Sequence, residues 1–160
     1  MRKFKVGDIF ENTINGIEYL IHYVREDRAK GPFCDVYRGK EMHPGNLIIK
    51  NGAYSLESCV IGGGWKKVGN IDPGFVPLGP ILDFTGSYPE EWLLRDGDKV
   101  ISLGTEVPEK YRHLEVSGVG DYVILEDRLK TGINIYSYDG WMNAKAEIEQ
   151  DHSAPRNSEA

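Results

Sequence analysis

The feature that most constrains this chain is a strict alternation from Gly16 to Arg25. Ile17, Tyr19, Ile21 and Tyr23 fall on one side, and Glu18, Leu20, His22 and Val24 on the other. A period of two is the period of an extended strand, whose successive side chains point to opposite faces of a sheet. Just ahead lies Asn15-Gly16, a pair that tolerates positive φ at both central positions of a type I′ turn, the turn whose twist matches a hairpin. The opening of the chain is therefore predicted to be an antiparallel hairpin, and the fold class mainly β (α+β) and antiparallel.

The remaining pattern extends this reading. In the front half, strands are predicted at about 5–10, 17–25, 33–38, 46–50, 54–61 and 65–68, with a second Asn-Gly pair, Asn51-Gly52, separating two of them. Asp72-Pro73-Gly74, Pro77 and Gly79-Pro80 remove ladder donors and fix φ, so 69–86 reads as a connector. Ser87, followed by Pro89 and Glu90, resembles a capping box, and Gly97 a stop; a short helix is predicted over 88–95 with Trp92, Leu93 and Leu94 buried. Further strands are expected at about 99–103, 111–116, 122–126 and 133–138. After the turn signal Asp139-Gly140, residues 142–148 read as a strand, with a helix as the alternative because Trp141, Ala144, Lys145 and Ile148 share a helical face. The domain reading is a β module over 1–68, the connector, an acidic β-rich unit over 87–148, and a disordered tail over 149–160, which lacks apolar anchors.

Composition narrows the class of function. Among 160 residues, 40% are hydrophobic and 28% charged, which excludes wholesale disorder, a collagen-like fibre and a coiled coil. No apolar run approaches the roughly 18 residues of a membrane span, and no apolar stretch follows Met1-Arg2-Lys3, so a cytoplasmic protein with no membrane partner is expected. Two cysteines, Cys34 and Cys59, are too few for a disulfide framework or a zinc site and read as free thiols.

Charge is polarised along the chain. Residues 1–68 hold 11 Lys and Arg against 8 Asp and Glu, while 69–160 hold 8 against 17, so the net −6 divides into +3 and −9. Such a back half repels itself unless something offsets it, and its field favours a cationic surface. Direct nucleic-acid binding is disfavoured by the negative total.

Catalytic and metal motifs are not recognisable. The four histidines have no ligand spacing, and no Gly-x-Ser-x-Gly, Walker or His-Glu-x-x-His motif occurs. His113-Leu114-Glu115 begins like a zinc deaminase signature, but the required cysteines are missing. His22 with Cys34 and Asp35 could form a thiolate site only if one partner came from elsewhere, since Cys34 and Asp35 point to opposite faces. Asp96 and Asp98 read as a solvated turn, with a divalent cation as the alternative. The most distinctive local chemistry is Gly62-Gly63-Gly64-Trp65-Lys66-Lys67: three glycines that could form an anion-binding nest, a stacking ring and two cations, the parts of a nucleotide or phosphate site. A Gly-rich turn before a strand is the alternative there. Tyr136 and Tyr138, leading to Trp141, could form an aromatic binding platform.

The segments Lys5-Val6-Gly7-Asp8-Ile9-Phe10, Gly16-Ile17-Glu18-Tyr19-Leu20-Ile21 and Phe33-Cys34-Asp35-Val36-Tyr37-Arg38 resemble small SH3-like or Tudor-like barrels. That resemblance implies a barrel in the N-terminal half and binding of peptides or nucleic acids. In general character, small and acidic, the chain is also similar to phage-encoded anti-defence inhibitors, including anti-CRISPR proteins. The expectation is a non-enzymatic inhibitor or adaptor without cofactor or metal. It would engage a basic, nucleic-acid-handling protein through Glu90, Glu91, Asp96, Asp98, Glu126, Asp127, Tyr136 and Tyr138. The alternatives are a ligand-sequestering protein using Gly62 to Lys67, and an enzyme without a recognisable motif.

Overall fold

The computed structural model describes residues 4–27, 31–85, 90–143 and 146. Its first sheet contains β1 (Asp8–Ile14), β2 (Ile17–Asp27), β3 (Gly31–Arg38), β4 (Leu47–Ala53) and β5 (Lys66–Asn70), in the order β4-β3-β2-β1-β5, all antiparallel. Asn15 and Gly16 take φ of 53° and 77° between the paired residues Ile14 and Ile17, the both-positive pattern of the I′ hairpin. The second sheet has β6 (Ile81–Thr85), β7 (Glu91–Asp96) and β8 (Lys99–Gly104), also antiparallel. Two helices complete the framework, α1 (Leu56–Ile61) and α2 (Tyr122–Thr131), and residues 138–143 are helical.

β2 is buried on both faces from Tyr19 to Val24. One face contributes Tyr19, Ile21 and Tyr23 to a core shared with Phe10, Val36, Ile49, Leu56, Cys59 and Trp65. That core also holds Leu125 of α2, with Tyr122 and Leu129 packed beside it, so the back half of the chain returns to close the front sheet. The other face is crossed by the proline-rich segment after β5. There His22 Nε2–H donates to the Ile71 carbonyl at 2.7 Å and Arg25 Nη1 to the Val76 carbonyl at 3.0 Å. β4 and β5 form the two edges of the sheet.

A second core gathers Leu82, Trp92, Leu94, Val107, Val116 and Tyr138. Backbone bonds tie the two units: Gly120 donates to Ala53 O and accepts from Ser55 N, both at 2.9 Å.

Several sequence expectations are corrected. Residues 91–96, expected to end a helix, form β7, because Trp92 and Leu94 are buried while Leu93 between them is only partly so, a period of two. The capping residues Ser87 and Pro89 lie outside the described residues, as does the tail over 149–160. The expected strand 54–61 is α1, capped by the Ser55 hydroxyl accepting from Ser58 N–H at 3.2 Å and ended by Gly62. The expected strand 122–126 is the start of α2. Asp121 caps it, accepting from Ile124 N–H at 3.0 Å, and Gly132, at φ 77°, ends it. Residues 111–116 form a 3₁₀ turn end and isolated bridges, and 133–138 a turn entering the 138–143 helix, which passes through Asp139-Gly140. The segment read as connector contains β6.

Candidate functional site

The acidic residues singled out in the sequence occupy three places. Asp96 and Asp98 are exposed at the β7–β8 turn, where Gly97 at φ 61° takes the first central position of a two-residue loop and Asp98 keeps negative φ. This is the pattern of a II′ hairpin rather than of a helix stop. Gly97 N–H donates to Leu78 O at 2.8 Å, fixing the turn against the preceding segment. Glu90 and Glu91 lie at the opposite end of β7, about 17 Å away at the usual rise per residue. Glu91 Oε2 accepts from the Ser102 hydroxyl at 2.9 Å. Glu126 and Asp127 lie on α2, packed against the other sheet.

Between the two acidic ends of the hairpin runs β8. It forms the outer edge of its sheet, and among the described residues no bridge or backbone bond meets that edge. Val100 and Ile101, on alternating faces, are 53% and 47% exposed. Of the two basic residues on the hairpin, Arg95 is committed inward, its Nε 2.8 Å from Asp83 Oδ2; Lys99 stands at the turn. The hairpin thus presents a free strand edge, apolar side chains and four carboxylates.

The two tyrosines do not form a platform. Tyr138 is buried in the second core, its ring 5.1 Å from that of Trp92 and its centroid 5.2 Å from the Arg112 guanidinium. Tyr136 is half-buried and packs against Gly118 and Gly120.

In the glycine-rich segment, Gly62 N–H donates to Ser58 O at 2.9 Å, and the Gly63 and Trp65 N–H groups both donate to Cys59 O, at 3.0 and 3.2 Å. Two glycine amides of the expected nest, and that of Trp65, are therefore spent on the carbonyls that α1 leaves open at its C-terminus. The Trp65 ring is 1% exposed and lies in the first core. Lys67 sits 3.1 Å from the buried Asp8, leaving Gly64 and Lys66 on the wall of a cavity of about 280 Å³ with Glu11, Glu18 and Lys40.

Both thiols are inert in this setting. Cys34 and Cys59 lie in the first core, where burial pushes Cys34 well above the ordinary thiol value and Cys59 up to about 12. His22 pairs across the strands with Asp35, not with Cys34. Burial also raises the Asp35 pKa, against the Asn51 N–H bond at 3.0 Å and the nearby His22 and Lys50 charges. Among the described residues, no three His, Cys, Asp or Glu side chains gather as a metal site, and no helix is long and apolar enough to cross a membrane.

The best-built polar cluster is one that sequence reasoning missed. Arg128 of α2 donates from Nη1 to the Tyr54 hydroxyl at 2.9 Å and from Nη2 to Glu115 Oε1 at 2.6 Å; the second Glu115 oxygen accepts from Asn134 Nδ2 at 3.2 Å. Burial works against the guanidinium charge, but Glu115 and Tyr54 more than offset it and raise the Arg128 pKa. Burial pushes Tyr54 up to about 12, with Arg128 pulling the other way. The sequence does hold one clue to it: Arg128 lies between Leu125 and Leu129 of the buried α2 face, where a charge needs a partner. Comparison with protein-family models, with curated proteins and with solved structures finds no match to this chain.

Proposed function

We propose that this protein acts by binding, as an inhibitor or adaptor, and that the β7–β8 hairpin is the element that engages a basic surface on a protein partner. The observation that carries this is β8: an edge strand bare along one side, with apolar groups on both faces and carboxylates at both ends of the hairpin. A free strand edge offers main-chain hydrogen bonds to an incoming chain, and the flanking charges select its sign. On a nucleic-acid-handling partner, Glu90, Glu91, Asp96 and Asp98 would stand where phosphates lie. The SH3-like reading of the front sheet belongs to this proposal; its support is the five-stranded antiparallel order and the single core drawn from β1 to β4, α1, Trp65 and α2.

The test is affinity capture with the tagged full chain, followed by titration of the captured partner at low and high salt. Affinity that falls steeply with salt, and is lost on joint change of Glu90 and Glu91 to Gln and of Asp96 and Asp98 to Asn, is the expected result. Affinity and salt slope unchanged by those four substitutions would overturn the reading.

A further inference from the structure

The cluster around Arg128 also sits between two cavities. One, of about 320 Å³, is bounded by Lys50, Pro80, His113 and Leu114; the other, of about 260 Å³, by Tyr19, Arg38, Leu129 and Asn134. Ile48 and Arg128 line both, so the two adjoin along edge strand β4. Together they reach the size range of small-molecule sites, about 300–1,000 Å³.

The charge of this groove runs against that of the chain. Arg38, Lys50 and His113 are exposed, and among the described residues none of them makes an ion pair. The one carboxylate on the walls, Glu115, is already held by Arg128 and Asn134. The rest of the walls mixes apolar groups, Ile48, Pro80, Leu114 and Leu129, with the side-chain amides of Asn51 and Asn134. Ile48 stays exposed on a strand whose neighbour Ile49 is buried, an apolar group facing the groove rather than the core. The exposed Arg38 and Lys50 attract an anion, the His113 imidazole offers it a hydrogen bond, the neutralised carboxylate does not repel it, and the apolar groups remove a hydrocarbon body from water.

We propose that the two cavities flanking Arg128 form a single site for a small organic anion, a phosphate or carboxylate group joined to an apolar or aromatic body. The anion sits among Arg38, Lys50 and His113, and the body lies along Ile48. Arg128 shapes the wall and is held in place by Glu115 and Tyr54. The site is separate from the acidic hairpin, so the two can fail independently.

The test is an NMR titration of the full chain with AMP, phenyl phosphate, phenylacetate and inorganic phosphate, followed through the backbone amides. At least one of the three organic anions is expected to shift Ile48, Lys50 and Leu129. Binding of the two phosphate esters alone assigns the head group as phosphate, and of phenylacetate alone as carboxylate. Joint Arg38→Glu and Lys50→Glu substitution, at exposed positions, should weaken binding by about tenfold or more, while Lys66→Glu, on another cavity, leaves it intact. The proposal is overturned if no organic anion moves those amides, if the double reversal leaves affinity unchanged, or if inorganic phosphate binds as tightly as AMP, since the walls would then select nothing.

Discussion

The two sheets solve the same problem in opposite ways. The five-stranded sheet hides both faces of its central strand, one under α1 and α2 and the other under the proline-rich crossing, so that even His22 on β2 is buried and hydrogen-bonded. In the three-stranded sheet Trp92 and Leu94 face a core, while the whole of β8 is left in water except for part of Leu103. Shelter on both sides makes a strand a structural axis. A strand exposed on both sides and along one edge contributes little to holding the chain together, and its apolar groups are available to something else.

The sharpest way to break this contrast is in α2. Leu125→Ala removes a fully buried side chain from the first core and should cost about 2–5 kcal/mol in denaturant unfolding, whereas Val123→Ala, two residues earlier and exposed, should change little. Equal effects would mean that α2 does not close the front sheet. Next come the ties between the units. Arg128→Met leaves the partly buried Glu115 with Asn134 but without its charge partner and should cost about 2–3 kcal/mol, and combining it with Glu115→Leu should recover part of that loss. Additive losses in that double-mutant cycle would deny the coupling.

Asp8 supplies the pH arm. Burial opposes its charge, but Lys5 N–H, Asn70 Nδ2 and Lys67 hold its pKa below 3.8. The native state therefore binds this proton less readily than the unfolded chain does. Its contribution is fully present above the unfolded value and is lost as pH falls through the depressed native value. Asp8→Asn should cost about 1–3 kcal/mol at neutral pH, and the variant should lose less further stability on acidification than the parent. The smallest effect belongs to β8: Val100→Thr and Ile101→Thr should each stay within about 0.5 kcal/mol, and β8 amides facing its free edge should exchange with deuterium much faster than those of β2. Slow exchange at β8 in the isolated chain would show that its edge is already occupied.

The two Asn-Gly pairs show where the sequence is readable and where it is not. Asn15-Gly16 makes its turn because nothing nearby competes with the local preference. Asn51 also takes positive φ, at 54°, but Gly52 does not, and the pair forms an irregularity inside β4. Asp35, sixteen residues earlier, holds the Asn51 N–H, and a side chain on Gly52 would strike Ile49 and Tyr54 at 2.7 Å. Those partners are brought together by pairing with β3, which no local window contains. Both helices carry caps that the strand reading passed over, Ser55 with Gly62 and Asp121 with Gly132; Cys59-Val60-Ile61 and Val123-Ile124 carry strand preference, and burial of one face overrode it. For β7 the error ran the other way, a helix-start signature outweighing the alternation of Trp92 and Leu94. Of the candidate site, the carboxylates were visible as charge. Their division between two hairpin ends and α2, and the cations around Arg128, depend on chain crossings.

Leu125 also has a consequence for the order of events during synthesis. The ribosome delivers β1 to β5 long before α2, so the emerging front sheet spends that interval with Tyr19, Ile21 and Trp65 lacking the cover that Leu125 and its neighbours later provide. Completion of this core is a late, long-range step, and a nascent chain stalled ahead of Tyr122 would be open to chaperones and proteases in a way the finished chain is not.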